Sequence, residues 1–140
     1  MSEAENQATI IVTLFVEASD LTVEQMCERI GLQCDKYWRL GSKAPSSHML
    51  YETNSWAVEE RISTSEDPQT IGDRVNDSLA GVLDRIGKHA EGFRATATGR
   101  VAGLSIAISC AEIPPLRFPS KHIEAIARLG VDLEVDLTLH

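Results

Sequence analysis

The sequence predicts an α+β fold: a single-layer, mainly antiparallel sheet of four strands with helices packed on one face, in β-α-β-α-β-α-β order and of ferredoxin-like character. Three observations predict it. From Val131 to His140 the chain alternates strictly, with Val131, Leu133, Val135, Leu137 and Leu139 on one side and Asp132, Glu134, Asp136, Thr138 and His140 on the other. That two-residue period belongs to an extended strand with one buried and one wet face. Upstream, three further β-rich runs are separated from one another and from this one by three apolar stripes of helical spacing. The one-sided alternation also argues against a purely parallel sheet, whose strands are buried on both faces.

The first strand is expected at Thr9 to Ala18, a β-branched, mostly apolar run whose continuity suits a central strand covered on both faces. Thr22 then N-caps a helix, with Gln25 closing a capping box. Val23, Met26, Cys27 and Ile30 recur at helical spacing, and Gly31 supplies the stop. From Leu32 to Ser55 the periodicity dissolves into a long connection holding Gly41, Pro45 and the exposed-looking pair Tyr37 and Trp38. Connections of this length in small domains are usually functional, mobile or partly structured.

Alternation returns from Ser55 to Ile62, with Trp56, Val58 and Ile62 on one side, Ala57, Glu59 and Arg61 on the other, and Glu60 in an awkward inward position. Asp67-Pro68 opens the longest helix, from Pro68 to about Lys88. Ile71, Val75, Leu79, Val82, Leu83 and Ile86 form its apolar stripe. Gly72 and Gly81 inside it cost about 1 kcal/mol each relative to Ala, which close packing against the sheet would explain. Residues 90–98 suit a short helical extension, although Phe93, Thr96 and Thr98 would also suit a strand.

Arg100 to Ala111 is the third strand. Val101, Leu104, Ile106, Ile108 and Cys110 form its apolar face; Ala102, Ser105, Ala107 and Ser109 form a small, flat face on which a helix can lie. Pro114-Pro115 ends it. Ser120 caps the last helix, which carries Ile123, Ile126, Ala127 and Leu129, and Gly130 hands the chain to the final strand.

The 140 residues form one domain, expected as an ordered unit over 9–140 behind a short disordered arm, 1–8. A hydrophobic content of 43% supports a core without staples. No apolar run approaches the roughly 20 residues that cross a bilayer, and Met1 to Gln7 is acidic and polar, unlike a signal peptide; a cytoplasmic location is expected. Cys27, Cys34 and Cys110 are an odd number without Cys-x-x-Cys spacing, which argues against disulfides or structural zinc. Cys27 and Cys110 fit the core, and Cys34 a more exposed thiol. The net charge of −8 opposes nucleic acid and anionic membrane as partners and favours a basic one.

The order of short pieces carries a resemblance. The first helix ends in Ile30-Gly31-Leu32, an Arg39-Leu40-Gly41 turn follows, and Ser55-Trp56 starts the second strand. Val82-Leu83 lies in the long helix, and Ile126-Ala127-Arg128-Leu129-Gly130 runs into Leu133-Glu134-Val135-Asp136. In this arrangement nearly the whole chain after residue 8 resembles the bacterial domain-of-unknown-function family 4279. The resemblance implies a small cytoplasmic α+β domain with no established activity and no catalytic residues to carry over. Domains of this kind look similar to immunity proteins of bacterial toxin systems.

The residues themselves point to recognition more than to chemistry. Phosphate loops and Gly-x-Ser-x-Gly elbows are absent from the sequence. His48, His89 and His122 lack the spacing of a helical zinc motif and read as surface or boundary residues. Same-face residues on a strand lie roughly 7 Å apart, so Asp132, Glu134, Asp136 and His140 read as a solvated face rather than a metal site. No catalytic residue, cofactor or metal is expected.

The expected function is therefore a non-enzymatic protein-binding module, immunity-like, that receives a basic protein partner on the acidic sheet face. Its candidate partner surface is Asp132, Glu134, Asp136, Tyr37, Trp38 and Arg39. A homodimer is compatible if the three carboxylates of the two copies are offset. The competing expectation is a small-ligand-binding or catalytic domain, with a concave site under the 32–54 connection lined by Trp38 or Trp56.

Overall fold

Aliphatic residues at every second position put one strand, β1 (Gln7–Ala18), at the centre of the sheet. The computed structural model describes residues 7–45 and 47–140. Ala8, Ile10, Val12, Leu14 and Val16 are fully buried, whereas the alternate residues Thr9, Ile11, Thr13, Phe15 and Glu17 are half-exposed. The strand is thus central but covered on one face only, and its hydroxyl and carboxylate residues explain why. It also begins earlier than expected. Gln7 and Ala8 pair with Ser65 and Thr64, so two residues of the expected arm are sheet; residues 1–6 lie outside the described residues.

The remaining elements are α1 (Val23–Ile30), β2 (Asn54–Ser65), α2 (Pro68–Gly87), α3 (Ala90–Ala97), β3 (Val101–Cys110), α4 (Ser120–Leu129) and β4 (Asp132–Leu139). The sheet order is β2-β1-β3-β4. β1 runs antiparallel to β2 and β3, but β3 and β4 are parallel. The sheet is therefore mixed, and a ferredoxin-like order is not supported. The cause is the crossover helix α4, which returns the chain to the end of the sheet where β3 began, a connection that parallel neighbours require.

Local signals hold for most boundaries. Thr22 and Gln25 form the capping box, and Gly31 closes α1 at φ 85°. Asp67 caps α2 by accepting from the Thr70 N–H at 3.0 Å. Residues 90–97 are helical as α3, which puts Phe93 against Trp56 in the core with ring centroids 5.9 Å apart. The cap of α4 differs from expectation: Pro119 occupies the cap position with no side-chain bond, and Ser120 is the first helical residue. On that helix His122 is buried, its Nδ1 3.4 Å from Asn76 Oδ1, while Ile123 is 55% exposed.

All four helices contribute to a core on one side of the sheet, built with Ile10, Leu14, Trp56, Leu104, Ile106 and Ile108. The two helical glycines make different contacts. A Cβ on Gly81 would lie 3.3 Å from Glu60 Oε1, so this glycine makes room for the inward Glu60 of β2. A Cβ on Gly72 would lie 2.4 Å from the Pro115 carbonyl oxygen, in the loop before α4 rather than the sheet.

Two strand expectations change. In β3 the alternation is unbroken, so Ala102 shares the core face with Leu104, and Val101, with Gly103, Ser105, Ala107 and Ser109, lies on the opposite face. That small face receives no helix. β4 does turn Asp132, Glu134 and Asp136 to solvent, but its apolar side is poorly covered. Leu133 is half-buried, whereas Val135 and Leu137 are each 37% exposed and Leu139 51%. Among the described residues no helix is long and apolar enough to cross a membrane.

Candidate functional site

The face of the sheet away from the helices is organised in rows by strand pairing. Ala57, Phe15, Gly103 and Asp132 form one row; Glu59, Thr13, Ser105 and Glu134 the next; Arg61, Ile11, Ala107 and Asp136 a third. Neighbouring strands lie about 4.8 Å apart, so each row spans roughly 14 Å from β2 to β4. Small residues of β3 make the middle of this face shallow. The Phe15 ring lies over Gly103, where an added Cβ would come within 3.2 Å of it.

The connection between α1 and β2 folds over one end of this face. It is anchored as a partial extra strand: the Asp35 and Lys36 N–H groups donate to the Ala57 carbonyl at 2.8 and 3.1 Å, and the Ala57 N–H donates to the Lys36 carbonyl at 3.0 Å. The Ser55 N–H donates to the Trp38 carbonyl, and the Trp38 N–H to Ser55 Oγ, both at 2.9 Å. Asp35 fastens the start. It accepts from Arg85 of α2 at 2.6 and 2.9 Å and from the Glu59 N–H at 2.9 Å. The Arg85 guanidinium holds the Asp35 carboxyl below the usual carboxylate range against the opposing effect of burial.

Further along, Gly41 adopts φ 85°, a left-handed turn that glycine takes without strain. The Gly41 N–H donates to the Tyr51 carbonyl at 2.8 Å, and the Tyr51 N–H donates to the Ser42 carbonyl at 2.9 Å. This places the Tyr51 ring against Trp38, stacked with centroids 4.8 Å apart and planes 10° apart. Ser55 and Ala57 are buried beneath the covering segment.

Between that segment and the sheet lies a cleft of about 870 Å³. Its apolar surface comes from Phe15, Tyr37, Trp38, Tyr51 and Val101, and its polar groups include Thr13, Glu17, Glu59 and Ser105. Glu59 is largely covered, with Lys36 Nζ 3.2 Å from its Oε1 and Thr13 Oγ1 donating to its Oε2 at 3.5 Å. The size and the few convergent polar groups in an aromatic setting match those of ligand-binding clefts. Ser105 on its floor stands directly beside Glu134 of β4, so cleft and acidic row are continuous.

Of the six residues expected to form the partner surface, five share this face. Tyr37 and Trp38 line the cleft, and Asp132, Glu134 and Asp136 lie across β3 from it. Arg39 does not join them. Its guanidinium bonds Glu24 of α1 at 2.7 and 3.1 Å and lies 5.0 Å from the Tyr37 ring centroid, so it braces Tyr37 from behind. Trp56, a candidate liner, is fully buried in the core, with its indole N–H donating to the Leu32 carbonyl at 3.0 Å.

Sequence reasoning did not place Phe15, Glu59, Ser105 and Asp35 at this site. The small residues at Gly103, Ser105 and Ala107 were the available signal. Among the described residues no cluster of His, Cys, Asp and Glu has the arrangement of a metal site.

A family model described as Domain of unknown function (DUF4279) matches residues 6–140. No curated protein and no solved structure matches the chain.

Proposed function

The chain belongs to the DUF4279 family of domains of unknown function, and from this premise we propose that it is a binding module for a basic polypeptide segment laid across the open sheet face. The observation that carries this reading is the continuity of an aromatic cleft with a row of exposed carboxylates. A segment seats an apolar or aromatic anchor among Phe15, Trp38 and Tyr51, and places cations over Glu134 and Asp136. Aromatic anchors in a concave setting concentrate binding energy. The carboxylates add long-range attraction and selectivity for positive partners. The immunity-like reading is a special case, in which the basic segment belongs to a toxin.

Calorimetric titration with arrays of short Lys/Arg-rich peptides carrying one apolar anchor tests the proposal, with acidic arrays as control. Basic peptides should bind, more weakly as salt rises toward physiological strength. Trp38→Ala should weaken binding by about 10-fold or more. The combined change Asp132→Asn, Glu134→Gln, Asp136→Asn should remove most of the salt dependence. Binding that ignores both variants, or no binding of any basic peptide, defeats the proposal.

A second reading has its own support: the polar line Thr13, Glu59 and Ser105 inside the cleft suits a small ligand with an apolar plane and a hydrogen-bonding edge. Stabilisation by small aromatic amines without any peptide binding would favour it.

A further inference from the structure

The geometry points to a second copy of this chain as the partner of β4: we propose that two β4 strands pair antiparallel across a two-fold axis, with Leu137 facing Leu137. Among the described residues β4 lies at the end of the sheet and pairs with β3 alone. Its register runs unbroken from Gly103↔Asp132 to Cys110↔Leu139, and the His140 N–H continues it by donating to the Cys110 carbonyl at 3.0 Å. Main-chain groups of alternate residues aim at opposite sides of a strand. The even-numbered residues therefore bond β3, and Leu133, Val135, Leu137 and Leu139 hold their N–H and C=O groups toward the free edge.

The two edges of the sheet are treated differently. On β2 the outward N–H of Ser55 and both outward main-chain groups of Ala57 are bonded by residues 35–38, and the Glu59 N–H by the Asp35 carboxylate. Among the described residues β4 has no such cover and carries no proline, lysine or bulge. Its edge protection is the three carboxylates Asp132, Glu134 and Asp136, which a partner strand must not oppose with carboxylates of its own. The same outward residues carry its exposed apolar side chains, Val135, Leu137 and Leu139. A neighbouring strand would cover them.

Charge sets the register, and in one register β4 is complementary to itself. Like charges directly opposite destabilise a strand pair. With Val135 facing Val135 of the second copy, Glu134 meets Asp136 twice. With Asp136 facing Asp136, two carboxylates meet on the axis. Moving the axis to Leu137 sets Asp136 opposite Thr138, Glu134 opposite His140 and Val135 opposite Leu139. It is the longest pairing of β4 with itself that sets no two carboxylates directly opposite, and the His140 imidazole that Glu134 meets also bonds Glu66 at 3.1 Å. Contacts of this kind are isologous and close at two copies. The pairing uses no residue lining the cleft but shares Glu134 and Asp136 of β4 with the proposed peptide surface. Its test reads mass and cross-linking without any peptide, so the two readings fail separately.

Analytical ultracentrifugation of the full chain over a concentration series, with single-cysteine cross-linking under mild oxidation, tests it. The wild-type chain should pass from monomer to twice the monomer mass as concentration rises, and Leu137→Lys should stay monomeric. Leu137→Cys should form a disulfide-linked dimer, because directly opposed residues of a bonded pair lie about 5.5 Å apart, within disulfide reach. Val135→Cys and Asp136→Cys, which mark the two rejected registers, should link at least about 10-fold more slowly, because their copies lie beyond the roughly 7 Å limit. The unsubstituted chain, with its native thiols, is the control. A wild-type chain that stays monomeric into the millimolar range, or cross-linking at 135 or 136 as fast as at 137, overturns the pairing.

Discussion

Asp35 accepts two bonds from Arg85 and one from the Glu59 N–H, joining helix α2, strand β2 and the covering segment at one carboxylate. None of this is visible in the sequence, because the partners lie 50 and 24 residues away. Asp35→Ala should increase amide exchange of residues 35–38 and weaken cleft binding while the helical circular dichroism stays intact. Cys34 is half-buried with its sulfur 3.9 Å from that of Cys27, and burial, helped by Cys27, pushes its thiol up to about 11. At pH 8 its alkylation should be about 100-fold slower than that of a free cysteine, because the thiolate is the reactive form; thiol titration by mass spectrometry reads this directly. Burial also lowers the pKa of His122, helped by Lys121 and opposed by Asp84. The unfolded chain then binds the proton more readily than the folded one. Stability is therefore fully present above the ordinary value of 6.5 and declines as pH falls below it. Tm should drop between pH 7 and 5.5, and His122→Gln should flatten that slope.

The helices were legible where capping chemistry is local. Thr22 with Gln25, Asp67 with Pro68, and Gly31 and Gly130 in left-handed conformation all marked boundaries that the structure keeps. Ser120 misled because a serine near a helix start resembles a cap whether or not it bonds. Gly72 could be seen as costly, but its reason lies in Pro115, a contact that no periodicity reveals. Gly72→Ala should destabilise by about 1–3 kcal/mol, since overpacking against main chain outweighs the gain in helix propensity. Gly87→Ala, at the end of the same helix with open space around its Cα, should instead gain up to about 1 kcal/mol. Thermal denaturation of the two variants should move in opposite directions.

At the scale of the molecule, the alternation at 131–140 showed which residues of β4 share a face, but not that its apolar side is left largely uncovered. Strand order and direction were not legible, because a period of two is the same for parallel and antiparallel neighbours. The open face of β3 was misjudged for a related reason: small residues suit a packed helix and an uncovered trough equally well. The cleft escaped the sequence because its roof is an aperiodic segment held by main-chain bonds to β2. That roof has a practical consequence. The chain's two tryptophans, Trp38 and Trp56, sit on opposite sides of one sheet, the first in the cleft wall and the second sealed in the core. Emission from Trp38 should respond to quenchers and to whatever enters, while Trp56 stays constant until the chain unfolds. One fluorescence spectrum thus carries both the signal of occupancy and its internal reference.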